Sequence, residues 1–534
     1  MNEHFIWLDW VVLIAYFVGT LGIGFYFHRR SKSAEGFTAA NRSLPGWVCG
    51  LSIFATFLSS ISFLGIPGRA FATNWNVFVF SLSLPIATLC AVYWFMPYYR
   101  RNGEVSAYAA LEKRFGPWAR VYAGAFYLLS QIARMGTVMY LMALPLNVLL
   151  GLDIRLIIVI TGVTVTLYAM VGGIVAVIWT DAVQAIVLIL GALISLAVLL
   201  LGMPEGPGQV FTIAAASDKF SLGSFDLSDW AGPTFFVVLV NGIVINLQNF
   251  GIDQNYVQRY IASSSEREAG RSVWLGGLLY VPVSAVFLLI GTSLFAWYQT
   301  HPDDMNELRN DVAIRKVADE GITKASPDYA VKVQAAQSKL KDEDLGDRVF
   351  PHFIGKRLPP GVTGLLIAAI FAAGMSTVST SLNSSATLLM TDYYRRYLRP
   401  GATEAQAMRT LYLSTLLWGV IGTGVALLMI NIKSALDVWW KLSSVLSGGM
   451  VGLFLLGLFS RRSGNVAAIA GVVAGVLVIA WMTLSQTDLW PASLEAMRCT
   501  LHPYLVIVIG TLSIIGIGLL VSMISPRKAG EGRK

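Results

Sequence analysis

Four hydroxyl-bearing residues, Thr56, Ser59, Ser60 and Ser62, fall within seven positions in the middle of an otherwise apolar stretch. A second strip, Ser376, Ser379, Thr380 and Asn383 with Thr377 beside it, repeats at helical spacing along one face of another apolar stretch. Hard cations such as Na+ take oxygen ligands of this kind. A helix unwound inside a membrane frees further carbonyls, and the restarted half points its amides at an anion. The simpler reading is that each hydroxyl bonds to the carbonyl four residues back or packs small against a neighbouring helix; the density of the two strips favours a cation track. A third stretch carries Asn241, Gly242, Asn246, Gln248, Asn249 and Gly251 mid-span. Charges inside apolar segments are costly enough to suggest a role. Arg134, in Ser130-Gln-Ile-Ala-Arg-Met-Gly-Thr137, could grip a carboxylate with two parallel hydrogen bonds, or could pair structurally with a distant Asp or with carbonyls. Asp181, in Ile178-Trp-Thr-Asp-Ala-Val-Gln184, could ligate a cation or cap its helix. Asp253 and Lys441 are weaker cases, placed where a helix end or cavity rim could solvate them.

The elements that hold these residues follow from composition. Of 534 residues, 55% are hydrophobic and only 13% charged, which excludes a soluble domain and specifies an all-α polytopic membrane protein. Apolar runs predict about thirteen transmembrane helices: 6–27, 45–72, 76–98, 118–150, 155–175, 180–203, 232–262, 272–298, 361–394, 408–430, 434–460, 464–485 and 502–524. The hydroxyl cluster at 56–62 and the polar run at 241–251 each open a group of five spans, as expected of an inverted five-helix repeat with two broken helices. The organisation read from this is a first helix and loop at 1–44, repeat one at 45–203, a loop at 204–231, repeat two at 232–460 with an insertion at 299–360, and two final helices with a tail at 461–534. The insertion mixes charges of both signs and reads as an exposed, partly helical or disordered segment.

A net charge of +8 would suggest nucleic acid in a soluble chain, yet most basic residues fall on alternate loops. Arg29, Arg30, Arg100, Arg101, Arg259, Arg267, Arg271, Arg395, Arg396, Arg461 and Arg462 fall on one side, so a multi-pass plasma-membrane protein with its N-terminus outside and its C-terminus in the cytoplasm is expected. The three cysteines show no C-x-x-C spacing and the five histidines are scattered, so neither a disulfide framework nor a metal cluster is expected. Gly19-Thr-Leu-Gly-Ile-Gly24 precedes no strand–helix unit, and no catalytic constellation is evident, so an enzyme is not expected.

At these residues the chain resembles the sodium/solute symporter family, nearest its bacterial sodium/sialic acid symporters. The likeness is carried by Phe54-Ala-Thr-Phe-Leu-Ser-Ser-Ile-Ser62, Gly172-Gly-Ile-Val-Ala-Val-Ile-Trp-Thr-Asp-Ala-Val-Gln184, Asp253-Gln-Asn-Tyr-Val-Gln-Arg259 and Ser376 to Asn383. The resemblance implies a broken-helix, LeuT-type inverted-repeat fold and alternating access, with Na+ as the coupling ion and no other cofactor. It implies one sodium site made by backbone oxygens of Ala55, Leu58 and Ala373 and the hydroxyls of Ser376 and Thr377. A second would use Asp181, Ser376, Ser379 and Thr380, giving two sodium ions per substrate. Arg134 would grip a substrate carboxylate, with Ser59, Ser60, Ser62 and Asn246 nearby. Phe57, Ser81, Val77 and Asn249 depart from the residues of sugar-binding relatives and give a more apolar wall. The expected function is sodium-driven import of a small organic anion, sialic acid or another acidic sugar first. A symporter of neutral solutes with a structural Arg134, or a solute-binding membrane sensor, stays open on the residues alone.

Overall fold

The computed structural model describes residues 5–322, 326–431, 449–460, 462–487 and 490–524. Among them, nine helices are long and apolar enough to cross a membrane, or ten when one bent pair counts as a single span. In chain order the elements used below are α1 (Trp7–Phe27), α2 (Gly46–Phe57), α3 (Ser60–Ala72), α4 (Trp75–Asn102), α5 (Pro117–Leu150), α6 (Ile154–Leu201), α7 (Phe235–Ile252), α8 (Gln254–Ala262), α9 (Glu266–Thr300), α10 (Pro302–Asp319), α11 (Tyr329–Lys339), α12 (Asp342–Arg357), α13 (Val362–Leu398), α14 (Glu404–Leu428), α15 (Asn465–Leu484) and α16 (Leu505–Ile524). The expected span 434–460 is described only as the helix Gly449–Phe459, and Lys441 lies outside the described residues.

Burial sorts these helices. The most apolar window of α13 is 89% buried, against 22% for α1, so α13 is the central post and α1 lies against lipid on most of its surface. One fastening between them was not evident in the sequence. Fully buried Asp9 of α1 accepts hydrogen bonds from the Gly361 and Gly364 amides at 2.9 and 2.7 Å, placing a carboxylate on the positive end of α13.

The 48 residues of α6 would run about 72 Å as one helix, more than twice a bilayer core. The helix divides at Gly173, with φ 54° and ψ −155°, where a Cβ would strike Phe37 at 2.9 to 3.0 Å; only glycine fits both constraints. The division gives the two expected spans, but the second restarts before the expected 180. Asp181 therefore lies within a helix and caps nothing.

The insertion is partly helical, as expected, but part of it is buried instead of exposed. It forms α10, α11 and α12, and α12 buries Leu345, Val349, Phe350, Phe353 and Ile354 against the core. That i, i+4, i+5, i+8, i+9 pattern is an ordinary amphipathic stripe, masked in composition by the alternating charges on the opposite face. α12 sits directly on α3: a Cβ on Gly68 would lie 2.4 Å from the Gly346 carbonyl oxygen, and one on Gly346 would lie 2.9 Å from the Gly68 oxygen. Only two glycines let the backbones cross so closely.

The insertion is tied down by Asp304, which accepts from Arg357 Nε at 2.9 Å, pairs with Arg357 Nη2, and accepts from Trp297 Nε1 at 3.0 Å. Burial pushes the Asp304 carboxyl up, but the Arg357 and Trp297 hydrogen bonds outweigh it and hold the group below the usual range. A depressed carboxyl stabilises the fold above its unfolded pKa and loses that contribution as pH falls through the folded value. Asp304→Asn should cost about 2 kcal/mol of local protection at neutral pH. Hydrogen exchange in 302–357, corrected for intrinsic rate, should show wild-type protection falling below about pH 4 while the variant stays flat. Wild-type protection unchanged down to pH 3 would remove Asp304 as the anchor.

Candidate functional site

The two broken helices share one local device. α2 ends at Leu58, whose backbone is extended (φ −95°, ψ 101°), and α3 restarts after Ser59, whose hydroxyl accepts from the Ser62 amide at 3.5 Å; the two halves are bent by 54°. α7 ends before Asp253 (φ −74°, ψ 121°), whose carboxylate accepts from the Asn255 amide at 2.8 Å and restarts α8. A serine or aspartate with extended backbone, capping with its own side chain, supplies the acceptor that the new half-helix requires. The second break falls at Asp253, just beyond the polar run at 241–251 where it was expected. Asp253 is therefore a helix-end residue, as the simpler reading has it.

The expected residues converge unequally. Ala55, Leu58, Ala373, Ser376 and Thr377 are all buried, and both halves of the broken helix pack on α13. Thr377 Oγ1 donates to the Ala373 carbonyl at 3.2 Å, while Ser376 Oγ turns to Asp181 Oδ1 at 2.8 Å. Thr380 Oγ1 lies 3.4 Å from Asp181 Oδ2, and Ser379 Oγ bonds to the Ser376 carbonyl at 3.1 Å. Asp181, Ser376 and Thr380 thus form one cluster with Ser379 behind it. Asn246 donates to Ser83 Oγ of α4 at 2.8 Å, and Ser81 is buried on α4. Asn249 is half-buried on α7.

Arg259 was not among the expected site residues and its charge was counted with the cytoplasmic loops. The structure corrects this: its side chain is 0% exposed, and Nη2 stands 2.8 Å from Asp181 Oδ2, also 0% exposed. The same guanidinium donates to Ser52 Oγ at 2.8 Å, to Thr380 Oγ1 at 2.7 Å and to the Asn255 carbonyl. Ser52 in turn donates to Asp181 at 2.6 Å. α2, α6, α8 and α13 therefore meet at one ion pair. The network continues through Tyr127 OH, which lies 2.8 Å from both Asn255 Oδ1 and Ser384 Oγ, and Gln131 Oε1, which accepts from Ser381 at 2.7 Å. The available signal was α8 itself, a polar nine-residue run between apolar spans in which every residue is buried.

Arg134 is half-buried on α5 and donates from Nη2 to the Thr56 carbonyl, in the last turn of α2, at 3.0 Å. Among the described residues it forms no ion pair. Phe57, from the same turn, is surrounded by Tyr280 at 4.8 Å, Tyr256 at 6.0 Å, Phe250 at 6.2 Å and Phe80 at 6.4 Å between ring centroids. The break thus presents a cation on one side and an aromatic wall on the other.

Comparison with known proteins places this geometry. The family model described as "Sodium:solute symporter family" matches residues 37–475. The chain is 31% identical to the sodium/sialic acid symporter NanT of Aliivibrio fischeri, over 96% of this chain and 93% of that protein. It is 30% identical to the sodium/sialic acid symporter SiaT of Proteus mirabilis, over 90% of each. Among solved structures, a substrate-bound, outward-open Na+-coupled sialic acid symporter superposes with a TM-score of 0.83 at 27% identity, covering 98% of both chains. The nucleobase-cation-symport-1 transporter Mhp1 shares the fold alone, with a TM-score of 0.54 at 14% identity over 91% of this chain and 93% of that one.

A buried pair of this kind is unequal in how it breaks: removing one partner strands the other charge, at a cost of about 3–5 kcal/mol. Asp181→Asn and Arg259→Gln should each lower the thermal midpoint of the protein in nanodiscs, and the double variant should recover part of the loss. Strictly additive losses would show that the two residues act separately.

Proposed function

The chain belongs to the sodium:solute symporter family, and from that premise we propose that it imports sialic acid, or an acidic sugar closely like it, together with Na+. It is a sodium-coupled membrane transporter and not an enzyme. The observation that carries the substrate reading is Arg134: a guanidinium at the break of α2 and α3, bonded to one carbonyl and, among the described residues, in no ion pair. A carboxylate offers it the bidentate partner it lacks. Ser59, Ser60 and Ser62 beside it, with Ser81, Asn246 and Asn249 on the facing helices, supply hydroxyl and amide groups for a polar solute, and Phe57 supplies an apolar floor.

Na+ at Ala55, Leu58, Ala373, Ser376 and Thr377 would bridge α2 to α13 and hold the broken helix in the form that exposes Arg134. Coupling is then a difference in affinity between conformations. Na+ at Asp181, Ser376, Ser379 and Thr380 would share its carboxylate with Arg259, so that ion entry there loosens the pair joining α8 to α6. The inverted repeats 45–203 and 232–460, the insertion on the outer face, the N-terminus outside and the C-terminus in the cytoplasm complete the reading.

Uptake of radiolabelled sialic acid into proteoliposomes should vanish when Na+ is replaced by choline on the loading side; undiminished uptake would end the symport reading. Arg134→Ala should weaken sialic acid binding by about 100-fold or more, in line with losing one partner of a hydrogen-bonded charge pair. Retained affinity, with competition from neutral sugars, would make Arg134 structural and the substrate neutral.

A further inference from the structure

A groove of about 450 Å³ lies between the helix Gly449–Phe459 and α16. Leu455, Leu456 and Phe459 line one side and Ile515 and Leu519 the other; among the described residues its polar lining is Ser460 and Arg462. Phe459 and Leu519 are exposed, so the groove opens toward lipid. Its volume falls within the roughly 300–1,000 Å³ of small-molecule sites, and an apolar lining with few polar groups suits an amphiphile.

The polar groups gather at one end. Ser460 and Arg462 follow the helix directly, and Ser522, in the last turn of α16, donates to Ser463 Oγ at 2.8 Å, so this loop and the end of α16 reach the same membrane surface. Arg114, on the helix Ala109–Phe115, brings a second guanidinium there by donating to the Ser460 carbonyl at 2.6 Å. Among the described residues neither arginine forms an ion pair. The bordering sequence does not neutralise them: residues 449–487 contain no Asp or Glu, and the ten residues after α16 hold four cations and one acid. This surface, the cytoplasmic one in the reading above, is where anionic headgroups concentrate. Trp94 of α4, 50% exposed, meets Phe459 edge-on at 6.5 Å and supplies an aromatic ring at the same boundary.

Another face of the Gly449–Phe459 helix touches the transport core. Phe454 packs on Phe95 and Tyr99 of α4 at 5.5 and 6.2 Å between ring centroids, and a Cβ on Gly251 would lie 3.2 Å from it. Tyr99 OH donates to the Gly251 carbonyl at 2.7 Å, in the last turn of α7 before the break at Asp253.

We propose that the groove binds one anionic phospholipid, an acyl chain along Leu455, Leu456, Ile515 and Leu519 and the phosphate on Arg462 and Arg114, and that this lipid steadies the Gly449–Phe459 helix against the end of α7. The lipid assignment stands on the groove and its charges; its effect on transport rests on the sodium-symport reading. Free phosphate has no use for five apolar side chains, which commits the site to lipid.

Native mass spectrometry of the full chain, taken from membranes with equal phosphatidylglycerol and phosphatidylcholine, should show phosphatidylglycerol retained in preference. Arg462→Gln should lower that enrichment about fivefold and Arg462→Lys should preserve it. Leu519→Trp, which fills the groove and leaves the charges, should release the lipid as well. Equal retention of the two lipids, enrichment unmoved by either Arg462→Gln or Leu519→Trp, or displacement by soluble glycerol phosphate would overturn the lipid site. In proteoliposomes, Na+-driven sialic acid uptake should rise several-fold with phosphatidylglycerol content in wild type and stay flat in Arg462→Gln; a wild-type rate indifferent to phosphatidylglycerol would overturn the link to α7. Wild-type uptake indifferent to Na+ would overturn the transport reading instead, while lipid retention still decides the groove.

Discussion

A charge cannot be left alone in a bilayer, and this molecule brings four helices together to satisfy one pair of charges. Asp181 comes from α6 and Arg259 from α8; Ser52 of α2 and Ser376 and Thr380 of α13 complete their hydrogen bonds. None of these groups could be hydrated where they lie, so their satisfaction fixes where α8 can sit against α13. The half-helices on either side inherit that placement. α2 reaches the pair through Ser52 and, within two turns, presents Phe57 to the aromatic wall and its terminal carbonyl to Arg134.

Much of the fold was legible because a bilayer imposes a length on apolar runs and leaves polar residues conspicuous. The hydroxyl cluster at 56–62, the strip on α13 and the charge at 134 were visible for that reason. Arg259 was not. It lies near the end of the expected span 232–262 and was grouped with Arg267 and Arg271, so its charge was read as loop electrostatics, whereas a helix break at Asp253 returns it to the interior. A one-dimensional reading finds charges that interrupt an apolar run; it misses a charge carried back inside by a break. The burial of α12 within the insertion was missed for the opposite reason. Its polar face is rich enough in Lys and Asp to dominate composition, although the spacing of Leu345, Val349, Phe350, Phe353 and Ile354 already describes a buried stripe.

The breaks also show how little sequence is needed to interrupt a membrane helix. At each site an extended residue, Ser59 or Asp253, offers its own side chain as acceptor to an amide in the first turn of the new half. Gly173 does comparable work within α6 by a positive φ. Irregular backbone of this kind survives at membrane depth only where protein surrounds it, and at both broken helices the surrounding protein includes α13, the most buried of the described spans.

The crossing of Gly68 and Gly346 joins the insertion to the second half of the broken helix with no side chain between them. Two backbones in such contact have no compliant layer to absorb relative motion, so α12 and α3 should move as one rigid piece. An antibody fragment that clamps α10 to α12 would then act as a brake on the transport cycle without entering the substrate path, and the insertion becomes a handle by which the conformational equilibrium can be held from outside the core.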